Sequence, residues 1–367
     1  MSNRSVFIIL ASILLICGTA NARGRQHPKV GAVYTASNAA SGNGVLVFDR
    51  LSDGRLVPAG AVPTGGLGTG AGLGNQGGLI LTSDERWLLV VNAGSNDVSV
   101  LRVRRRGLEL VDVEPSQGAR PISVTEHNGL VYVLNAQSDE IAGFWLSRDG
   151  DLSPIAGSIR SLSGTGTDPA QISFEPRGRA LVVTEKATNQ IVTFEVDRDG
   201  FAGEGNPQAS NGTTPFGFAF GKRRQLFVSE AFGGAPDASA VSSYTIDRDA
   251  DLMTVSASVG TTETAACWVI VTQNGRFAYT TNTGSGSISG YFIGFDGELT
   301  LLDPDGRTGV TGDGSSPIDM AIADRYLFSL NGGTGTIGVF RIRHDGSLVR
   351  LPFASGLPAG ANGLAAR

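Results

Sequence analysis

The sequence predicts an all-β fold, a seven-bladed β-propeller with four antiparallel strands in each blade, and three observations predict it. The chain of 367 residues contains 52 glycines and only 17% charged residues, a composition typical of short strands joined by tight turns. A hairpin-turn signal recurs seven times, at intervals of about 50 residues. Apolar runs that end in Asn or Glu recur in step with those turns. Because units of this length cannot bury their own apolar faces, we expect them to stack in a closed ring.

The turn signal is Asp-Gly or a close variant of it. Asp-Gly between apolar runs predicts a tight hairpin, because such turns require positive φ angles that glycine adopts freely. An apolar residue, most often Leu, follows closely, and we expect it to begin the outermost strand of each blade. The seven copies are Asp53-Gly54, Arg106-Gly107, Asp149-Gly150, Asp199-Gly200, Asp249-Ala250, Asp296-Gly297 and Asp345-Gly346.

The apolar runs predict the second strand of each blade, counted from the ring axis. Most runs are followed by a β-branched residue and then by an aromatic residue or Leu, as with Val98 and Leu101, and this pattern predicts the third strand. No stretch after the first residues of the chain shows a useful helical period. The runs are WLLVVN ending at Asn92, LVYVLN at Asn135, ALVVTE at Glu185, QLFVSE at Glu230, FAYTTN at Asn282 and YLFSLN at Asn331.

The two ends of the repeat region predict how the ring closes. Residues 30–35 read as a second strand with no first strand ahead of them. The final segment, residues 362–366, resembles the innermost strands GLILT, QISFE and WVIVT. We therefore expect the carboxyl-terminal strand to complete blade one, within a single propeller domain that spans residues 23–367.

The first 22 residues read as a signal peptide. Arg4 supplies a positive start, residues 6–17 are apolar except for Ser12, and Ala20-Asn21-Ala22 is a small-x-small cleavage site. A stretch of this length, at ~1.5 Å per residue, is too short to span a bilayer core of ~30 Å. The segment predicts export to the periplasm or the extracellular space with no membrane span. Cleavage leaves Cys267 without a second cysteine, so no intramolecular disulfide is expected.

The net charge of the chain limits the classes of partner that we expect. The net charge of -5 and the pI of about 5.3 disfavour a nucleic-acid surface, which needs clustered Lys and Arg. The tightest basic run, residues 102–106, is typical of a solvated strand edge. We expect a monomer that binds a small-molecule substrate or a protein of the cell envelope.

The polar residues that end the second strands are expected to gather at one rim, where propellers place their sites. Glu185 and Glu230 stand where other blades have Asn, so the turn itself does not demand their charge, and they are candidate general bases. Lys186 alternatively neutralises Glu185. The candidate ligand-binding residues are Gln171, Lys186, Trp268, Asn135, Asn282 and Asp319.

Each candidate also has a structural interpretation. The asparagines can cap their own turns, and Trp268 can pack between blades instead of forming an apolar ligand wall. Cys267 reads as a small buried side chain. No organic cofactor is indicated, although a ring of Asn and Glu oxygens could hold Ca²⁺ or another hard cation.

Two familiar kinds of site are excluded. Gly72-x-Gly74-x-x-Gly77 has dinucleotide-loop spacing, but it leads into a predicted strand and not into a helix, so we expect a glycine-rich rim loop over residues 65–78. The histidines stand far apart in the repeat frame, at positions 27, 127 and 344. They predict neither a Ser-His-Asp triad nor a histidine zinc site.

Three segments carry a family resemblance: GLILTSDERWLLVVNAGSNDVSVLRV, DPAQISFEPRGRALVVTEKATNQIVTFEV and ACWVIVTQNGRFAYTTNTGSGSISGYF. With its blades in register, the chain resembles the seven-bladed lactonase family, which contains 6-phosphogluconolactonase and fungal carboxymuconate-lactonising enzymes. The last two segments look especially like an exported bacterial subgroup. The resemblance implies chemistry that opens or forms a lactone, using His, Arg and Glu in the channel.

The functional residues that the family resemblance implies match this sequence only in part. Glu185 falls where those enzymes place a glutamate, but the histidine positions are Gly78, Gln171 and Trp268 here, and an arginine position is Ala170. Acid–base catalysis by imidazole is thereby removed, because Gln does not titrate.

Three hypotheses follow from the sequence. The first is an exported hydrolase of a lactone or a sugar-derived ester, with Glu185 and Glu230 as base or water-orienting groups. The second is a non-catalytic propeller that binds a ligand or a protein in the cell envelope. The third is a lactonase-like site that depends on a metal such as Ca²⁺.

Overall fold

A computed structural model describes residues 27–367. In that part of the chain, seven antiparallel sheets form the seven blades, and the innermost strand of blade one comes from the carboxyl terminus. The predicted signal peptide lies outside the described residues. Within residues 27–367 the helical content is one 3₁₀ turn, Phe232–Gly234, and no helix is long and apolar enough to cross a membrane.

The strands of blades one to three are as follows. Blade one has β1 (Lys29–Ala36), β2 (Gly44–Leu51) and β3 (Leu56–Pro63). Blade two has β4 (Leu79–Leu81), β5 (Trp87–Asn92), β6 (Asp97–Arg104) and β7 (Gly107–Pro115). Blade three has β8 (Pro121–His127), β9 (Leu130–Asn135), β10 (Glu140–Leu146), β11 (Leu152–Pro154) and β12 (Arg160–Ser161).

The remaining strands follow in chain order. Blade four has β13 (Pro169–Phe174), β14 (Ala180–Glu185), β15 (Gln190–Glu195) and β16 (Asn206–Ala209). Blade five has β17 (Pro215–Phe220), β18 (Gln225–Glu230), β19 (Ala240–Ile246) and β20 (Leu252–Gly260). Blade six has β21 (Ala266–Val271), β22 (Phe277–Asn282), β23 (Ser287–Ile293), β24 (Leu299–Leu301) and β25 (Gly309–Val310). Blade seven has β26 (Pro317–Ala323), β27 (Tyr326–Asn331), β28 (Thr336–Ile342) and β29 (Leu348–Ser355), and β30 (Asn362–Ala366) completes blade one.

The fold prediction is confirmed. In blades three and six the outermost strand is interrupted, so β11 with β12, and β24 with β25, each pair with the same third strand. Strand β30 pairs with β1 through Val33–Ala366, Tyr34–Ala365 and Ala36–Asn362, so the carboxyl terminus closes the ring as predicted.

Burial between neighbouring sheets explains the repeated apolar runs. In β5, β9, β14, β18, β22 and β27, every residue is buried. A strand covered on both faces reads as a continuous apolar run instead of an alternating one. The runs therefore mark the layer of each blade that the adjacent blades cover.

The outer Asp-Gly turns also pack one blade against the next. Gly54, with φ of +89°, lies on the ring of Tyr326, where an added Cβ would be 2.6 Å from Cδ1. Gly346, with φ of +89°, lies in the same way on Phe277. Glycine is needed at each position for two reasons: the turn has a left-handed φ, and a side chain would collide with an aromatic ring. That ring belongs to the first residue of the second strand in the preceding blade. The contact between Gly54 and Tyr326 joins blades one and seven.

Candidate functional site

A repeated turn builds the rim at which the innermost strands begin. In blades three to seven, the residue before the innermost strand has a left-handed backbone. These residues are Arg120, Asp168, Thr214, Ala265 and Ser316, with φ of 56°, 47°, 57°, 59° and 46°. Each carbonyl accepts a hydrogen bond from the residue that follows the second strand, as when Lys186 N donates to Asp168 O at 3.2 Å. The turn thereby brings two residues distant in sequence together at the rim.

Glu185 and Glu230 lie at this rim, but their carboxylates are buried and hydrogen-bonded to their own blades and to the loops that lead into those blades. Glu185 accepts from Ser163 N at 3.0 Å, from the Ser163 hydroxyl, and from Thr188 Oγ1 at 2.6 Å. Glu230 accepts from Gly212 N at 2.8 Å, Ser242 Oγ at 2.5 Å and Ser258 Oγ at 2.6 Å. These contacts tie rim loops to strand ends. The catalytic role of both residues stays a prediction.

The two candidate asparagines make related contacts. Asn135 Nδ2 donates to Ser116 O at 3.0 Å, and Asn282 Nδ2 donates to Ser287 and Ser289 at 2.9 and 2.8 Å. The Oδ1 atoms of both asparagines are buried without a hydrogen-bond partner among the described residues. Each side chain bonds to its own blade or to the loop leading into that blade.

Gln171 and Asp319 join adjacent blades along the channel. Gln171 Oε1 accepts from Phe218 N at 2.7 Å and its Nε2 donates to Phe218 O at 3.1 Å. Asp319 Oδ2 accepts from Leu364 N at 3.0 Å, which links blade seven to the closing strand. Burial raises the pKa of Asp319 to about 8. Both side chains are used in ring assembly.

The glycine-rich loop between blades one and two enters the mouth of the channel. Asn75 O accepts from Trp268 Nε1 at 2.7 Å, its Oδ1 accepts from Asn362 at 2.8 Å, and its Nδ2 donates to Ile122 O. Gln76 bonds to both backbone groups of Val269, at 2.8 and 3.1 Å. Residues 72–76, called the plug below, therefore contact blades one, three, four and six. The sequence predicted a glycine-rich rim loop over residues 65–78, but it did not predict that the loop would enter the channel.

Glycines at the innermost strands make room for the plug. A Cβ at Gly78 would lie 2.6 Å from Asn362 Oδ1 and 2.8 Å from Asn75 Nδ2. A Cβ at Gly217 would overlap Gln76 Oε1 and lie 2.6 Å from Cys267 O. The plug thus fills space that side chains of the innermost strands would otherwise occupy.

Lys186 is the cation that reaches the plug. Its Nζ donates to Gly74 O at 2.7 Å and Pro169 O at 3.3 Å, and lies 3.3 Å from Asp168 Oδ1. It also lies 4.9 Å from the centroid of the Phe216 ring. Burial lowers the pKa of Lys186, and Asp168 partly opposes that shift. The neutralisation of Glu185 by Lys186 that the sequence suggested is not the contact observed.

Trp268 and Cys267 complete the apolar side of the mouth. The Trp268 ring lies 4.9 Å from that of Phe216, and its indole N–H is bound to the plug. Burial raises the pKa of Cys267 to about 11, so near neutral pH its sulfur is a thiol and not the nucleophilic thiolate. Trp268 packs between blades and against the plug.

The chemistry that we assign to the mouth is that of the Lys186 ammonium beside the Asp168 carboxylate. The Lys186 side chain is only 10% exposed, whereas that of Asp168 is 68% exposed. A partly desolvated ammonium can bind a carbonyl or carboxylate oxygen, and an exposed carboxylate can accept a proton from water. Among residues 27–367, no three His, Cys, Asp or Glu side chains converge in a way that could hold a metal ion. The calcium hypothesis, which also drew on amide oxygens, stays a prediction.

Comparison with known families agrees with this architecture. The family model described as "Lactonase, 7-bladed beta-propeller" matches residues 27–166, 78–231 and 230–355. This chain belongs to the seven-bladed lactonase family. The three matches together span nearly the whole described propeller, and the resemblance stated from the sequence is confirmed. No curated protein matches the sequence.

Solved structures share the fold of this lactonase-family protein at low identity. A candidate 6-phosphogluconolactonase of Bacteroides fragilis is 18% identical, with a TM-score of 0.69 over 92% of this chain and 98% of that one. A periplasmic gluconolactonase of Pseudomonas aeruginosa is 15% identical, with a TM-score of 0.70 over 90% of this chain and 98% of that one. At these identities the likeness supports the fold alone.

Sequence reasoning missed two components of the mouth. Asp168 lies in the segment between blades three and four, outside the strand-end pattern that marked the other candidates. What distinguishes it is its left-handed backbone directly before an innermost strand, a feature repeated in other blades. The plug residues Asn75 and Gln76 contact partners as many as 287 positions away, such as Asn362. Glycine at positions 78 and 217, where other blades carry side chains, was the available signal.

Proposed function

We propose that this protein hydrolyses a lactone, or a related sugar-derived ester, at the plugged rim of the channel. The observation that carries the proposal is the pairing of the partly buried Lys186 ammonium with the exposed Asp168 carboxylate, 3.3 Å apart, at the channel mouth of a lactonase-family propeller. The proposal takes only the class of reaction from the family. The substrate is defined as a cyclic ester whose carbonyl oxygen reaches Lys186.

In the proposed reaction, Lys186 Nζ donates a hydrogen bond to the lactone carbonyl oxygen, where negative charge develops in the transition state. Asp168 accepts a proton from water as the water oxygen bonds to the acyl carbon. The bond between the acyl carbon and the ring oxygen then breaks, and the proton passes to the departing alkoxide. The Phe216 ring offers an apolar surface beside the ammonium. The substrate oxygen competes with Gly74 O for Lys186.

A lactone panel with purified protein tests this proposal. Lys186→Met keeps the length of the side chain and removes its charge, so we expect kcat/KM to fall by about 100-fold or more. Asp168→Asn should also lower kcat, because it removes the proton acceptor. Lys222→Met, which changes an exposed lysine at the opposite face, is the matched control and should be fully active. Full activity in Lys186→Met would overturn the assignment.

The same assay tests the predicted role of Glu185. If Glu185 is the base, Glu185→Gln abolishes turnover while the protein melts at the wild-type temperature. If it only ties Ser163 and Thr188 to the strand end, Glu185→Gln lowers the melting temperature and the remaining folded protein turns over substrate.

A second candidate function is a non-catalytic propeller that binds a ligand or a protein in the cell envelope. One observation favours it, namely that the plug fills the mouth while Glu185 and Glu230 are fully hydrogen-bonded. It predicts no hydrolysis of any lactone in the panel, together with a thermal shift on adding the binding partner. Turnover that Lys186→Met abolishes would exclude it.

We also propose that the protein is exported from the cytoplasm. Its support is the signal-like segment of residues 1–22, and the Pseudomonas aeruginosa structure with the same fold is described as periplasmic. Cell fractionation of the full chain tests it, with replacement of Ala20 and Ala22 by bulky residues to block cleavage. A mature protein that begins near position 23 outside the cytoplasm is the expected result.

A further inference from the structure

A second candidate site lies on the opposite face of the ring, between blades four and five. Strand β13 begins at the plugged rim with Pro169 and ends at this face with Phe174. Here four arginines line one cleft: Arg177 and Arg179 from the turn after β13, Arg224 from the turn before β18, and Arg248 from the outer turn of blade five. Glu175 and Asp247 line it too, which leaves a net positive lining.

The guanidinium groups of these four arginines are unpaired within the described part of the chain. Among the described residues, none of them forms an ion pair or donates a side-chain hydrogen bond, whereas Arg50, Arg55, Arg104 and Arg307 each bind a carboxylate. Glu175 Oε1 accepts a hydrogen bond from Arg179 N at 2.9 Å. Asp247 Oδ1 accepts from Asp249 N and Asp251 N at 2.9 Å each. The local carboxylates therefore serve their own turns and leave the arginines available.

The turn that carries Arg223 and Arg224 has a backbone conformation that is unfavourable for arginine. Arg223 and Arg224 have φ of 57° and 65° and Gln225 N donates to Lys222 O at 3.2 Å, so they are the central residues of a type I′ turn. Asn and Gly are favoured there because side chains strain the left-handed conformation. The equivalent turn of blade three has Asn128 and Gly129. Arg223 stacks 3.9 Å from the centroid of the Phe295 ring, whereas the Arg224 side chain makes no ion pair, cation–π contact or hydrogen bond with any other residue of the described chain.

We propose that this cleft binds a phosphate-type oxyanion, and that Arg224 is kept in its strained position for that ligand. Guanidinium groups bind phosphate and sulfate oxygens through charge-assisted hydrogen bonds. The cavity encloses about 20 Å³, so one or two oxygens enter between the arginines while the rest of the group lies outside. Three other clefts on this face measure about 260, 360 and 480 Å³ and are lined by fewer arginines. The site is separate from the plugged rim and independent of the proposed lactone chemistry.

The turn gives a test that separates binding from folding. Arg224→Gly restores the glycine found in blade three, so we expect the unliganded protein to melt about 1–3 °C higher. The same variant should bind inorganic phosphate at least tenfold more weakly in calorimetric titrations at constant ionic strength set with chloride. Arg248→Gln, which leaves the strained turn unchanged, should weaken phosphate binding similarly. Arg343→Gln, in the cleft between blades six and seven, is the control and should bind as the wild type does.

A second titration, with glycerol 3-phosphate, identifies the source of the group. Tighter binding of the ester than of inorganic phosphate indicates a phosphate carried on a larger molecule, and equal binding indicates the free ion; both results support the site. Wild-type protein that binds neither ligand beyond chloride overturns the proposal. Arg224→Gly protein that binds phosphate as tightly as wild type overturns it too.

Discussion

The buried carboxylates at the rim and along the channel differ in how many donors surround them. Glu185 and Glu230 each accept three or more hydrogen bonds, largely from hydroxyl groups and loop N–H groups. Within residues 27–367, Asp319 accepts only from two backbone N–H groups, those of Met320 and Leu364. Hydrogen bonds to a carboxylate favour its charged form, whereas burial opposes it. For Asp319, burial outweighs the two donors and raises the pKa of the carboxyl.

Glu230→Gln tests the structural role of that carboxylate. The amide keeps the size of the side chain but points an N–H₂ group at donors such as Gly212 N. We expect the free energy of unfolding to fall by about 1–3 kcal/mol, since one buried donor loses its acceptor. Denaturant unfolding measures it, with the exposed Glu204→Gln as control. Wild-type stability combined with lost turnover would instead identify Glu230 as a catalytic base.

Asp319 predicts a specific dependence of stability on pH. Burial raises its pKa in the folded protein to about 8, above the value of about 3.9 expected in the unfolded chain. Between those values the unfolded chain releases a proton that the folded protein keeps. The contribution of Asp319 to stability is therefore complete below about pH 4 and declines as pH rises toward 8, by at most about 1.4 kcal/mol per pH unit.

Asp319→Asn removes the titrating group and keeps its shape. Unfolding measured from pH 4 to pH 8 should decline less steeply in the variant than in the wild type. If both proteins show the same slope, Asp319 is charged in the folded state and the predicted proton is absent.

At the scale of the element, the plug occupies the mouth of the channel. Its side chains bond to innermost strands of three blades, and glycines at those strands leave space for it. Gly217→Ala should displace Gln76, because the added Cβ overlaps Gln76 Oε1 and approaches Cys267 O. We expect a loss of about 1–3 kcal/mol in stability and faster amide hydrogen exchange in residues 72–78.

Gly260→Ala is the matched control for this substitution. An added Cβ there meets nothing within 4 Å, and the residue does not have a left-handed φ. Its exchange and stability should match the wild type within about 0.5 kcal/mol. Unchanged exchange in Gly217→Ala would show that the plug does not depend on this glycine.

The strands were predictable from the sequence and the mouth of the channel was not. The apolar run WLLVVN predicted a strand covered on both faces, and Asp53-Gly54 predicted an outer turn, because period and turn chemistry are local properties. The bond from Trp268 to Asn75 joins residues 193 positions apart, and no local pattern encodes it. Likewise, Asn and Glu at strand ends marked the rim correctly, but only the donors around each carboxylate indicate what that group can do.

At the scale of the whole molecule, we expect stability to depend on closing the ring, because Cys267 has no disulfide in the described chain. The closing strand β30 pairs with β1 and also provides Asn362 to the plug and Leu364 N to Asp319. Arg367 O accepts from Ala32 N at 3.1 Å and from Arg50 Nε at 2.9 Å. One short strand therefore connects blade one to blade seven and to the plug.

Deleting residues 362–367 should open the ring. The deletion exposes the edge of β1, removes the buried Leu364 side chain and leaves the Asp319 carboxyl without its donor from the next blade. We expect the thermal transition to drop by about 10 °C or more, or to lose its cooperativity. Arg367→Ala keeps the backbone groups that pair with Ala32, so it should melt close to the wild type in the same calorimetric scan. A truncated protein that melts with wild-type cooperativity would mean that the stacked blades hold the ring without the closing strand.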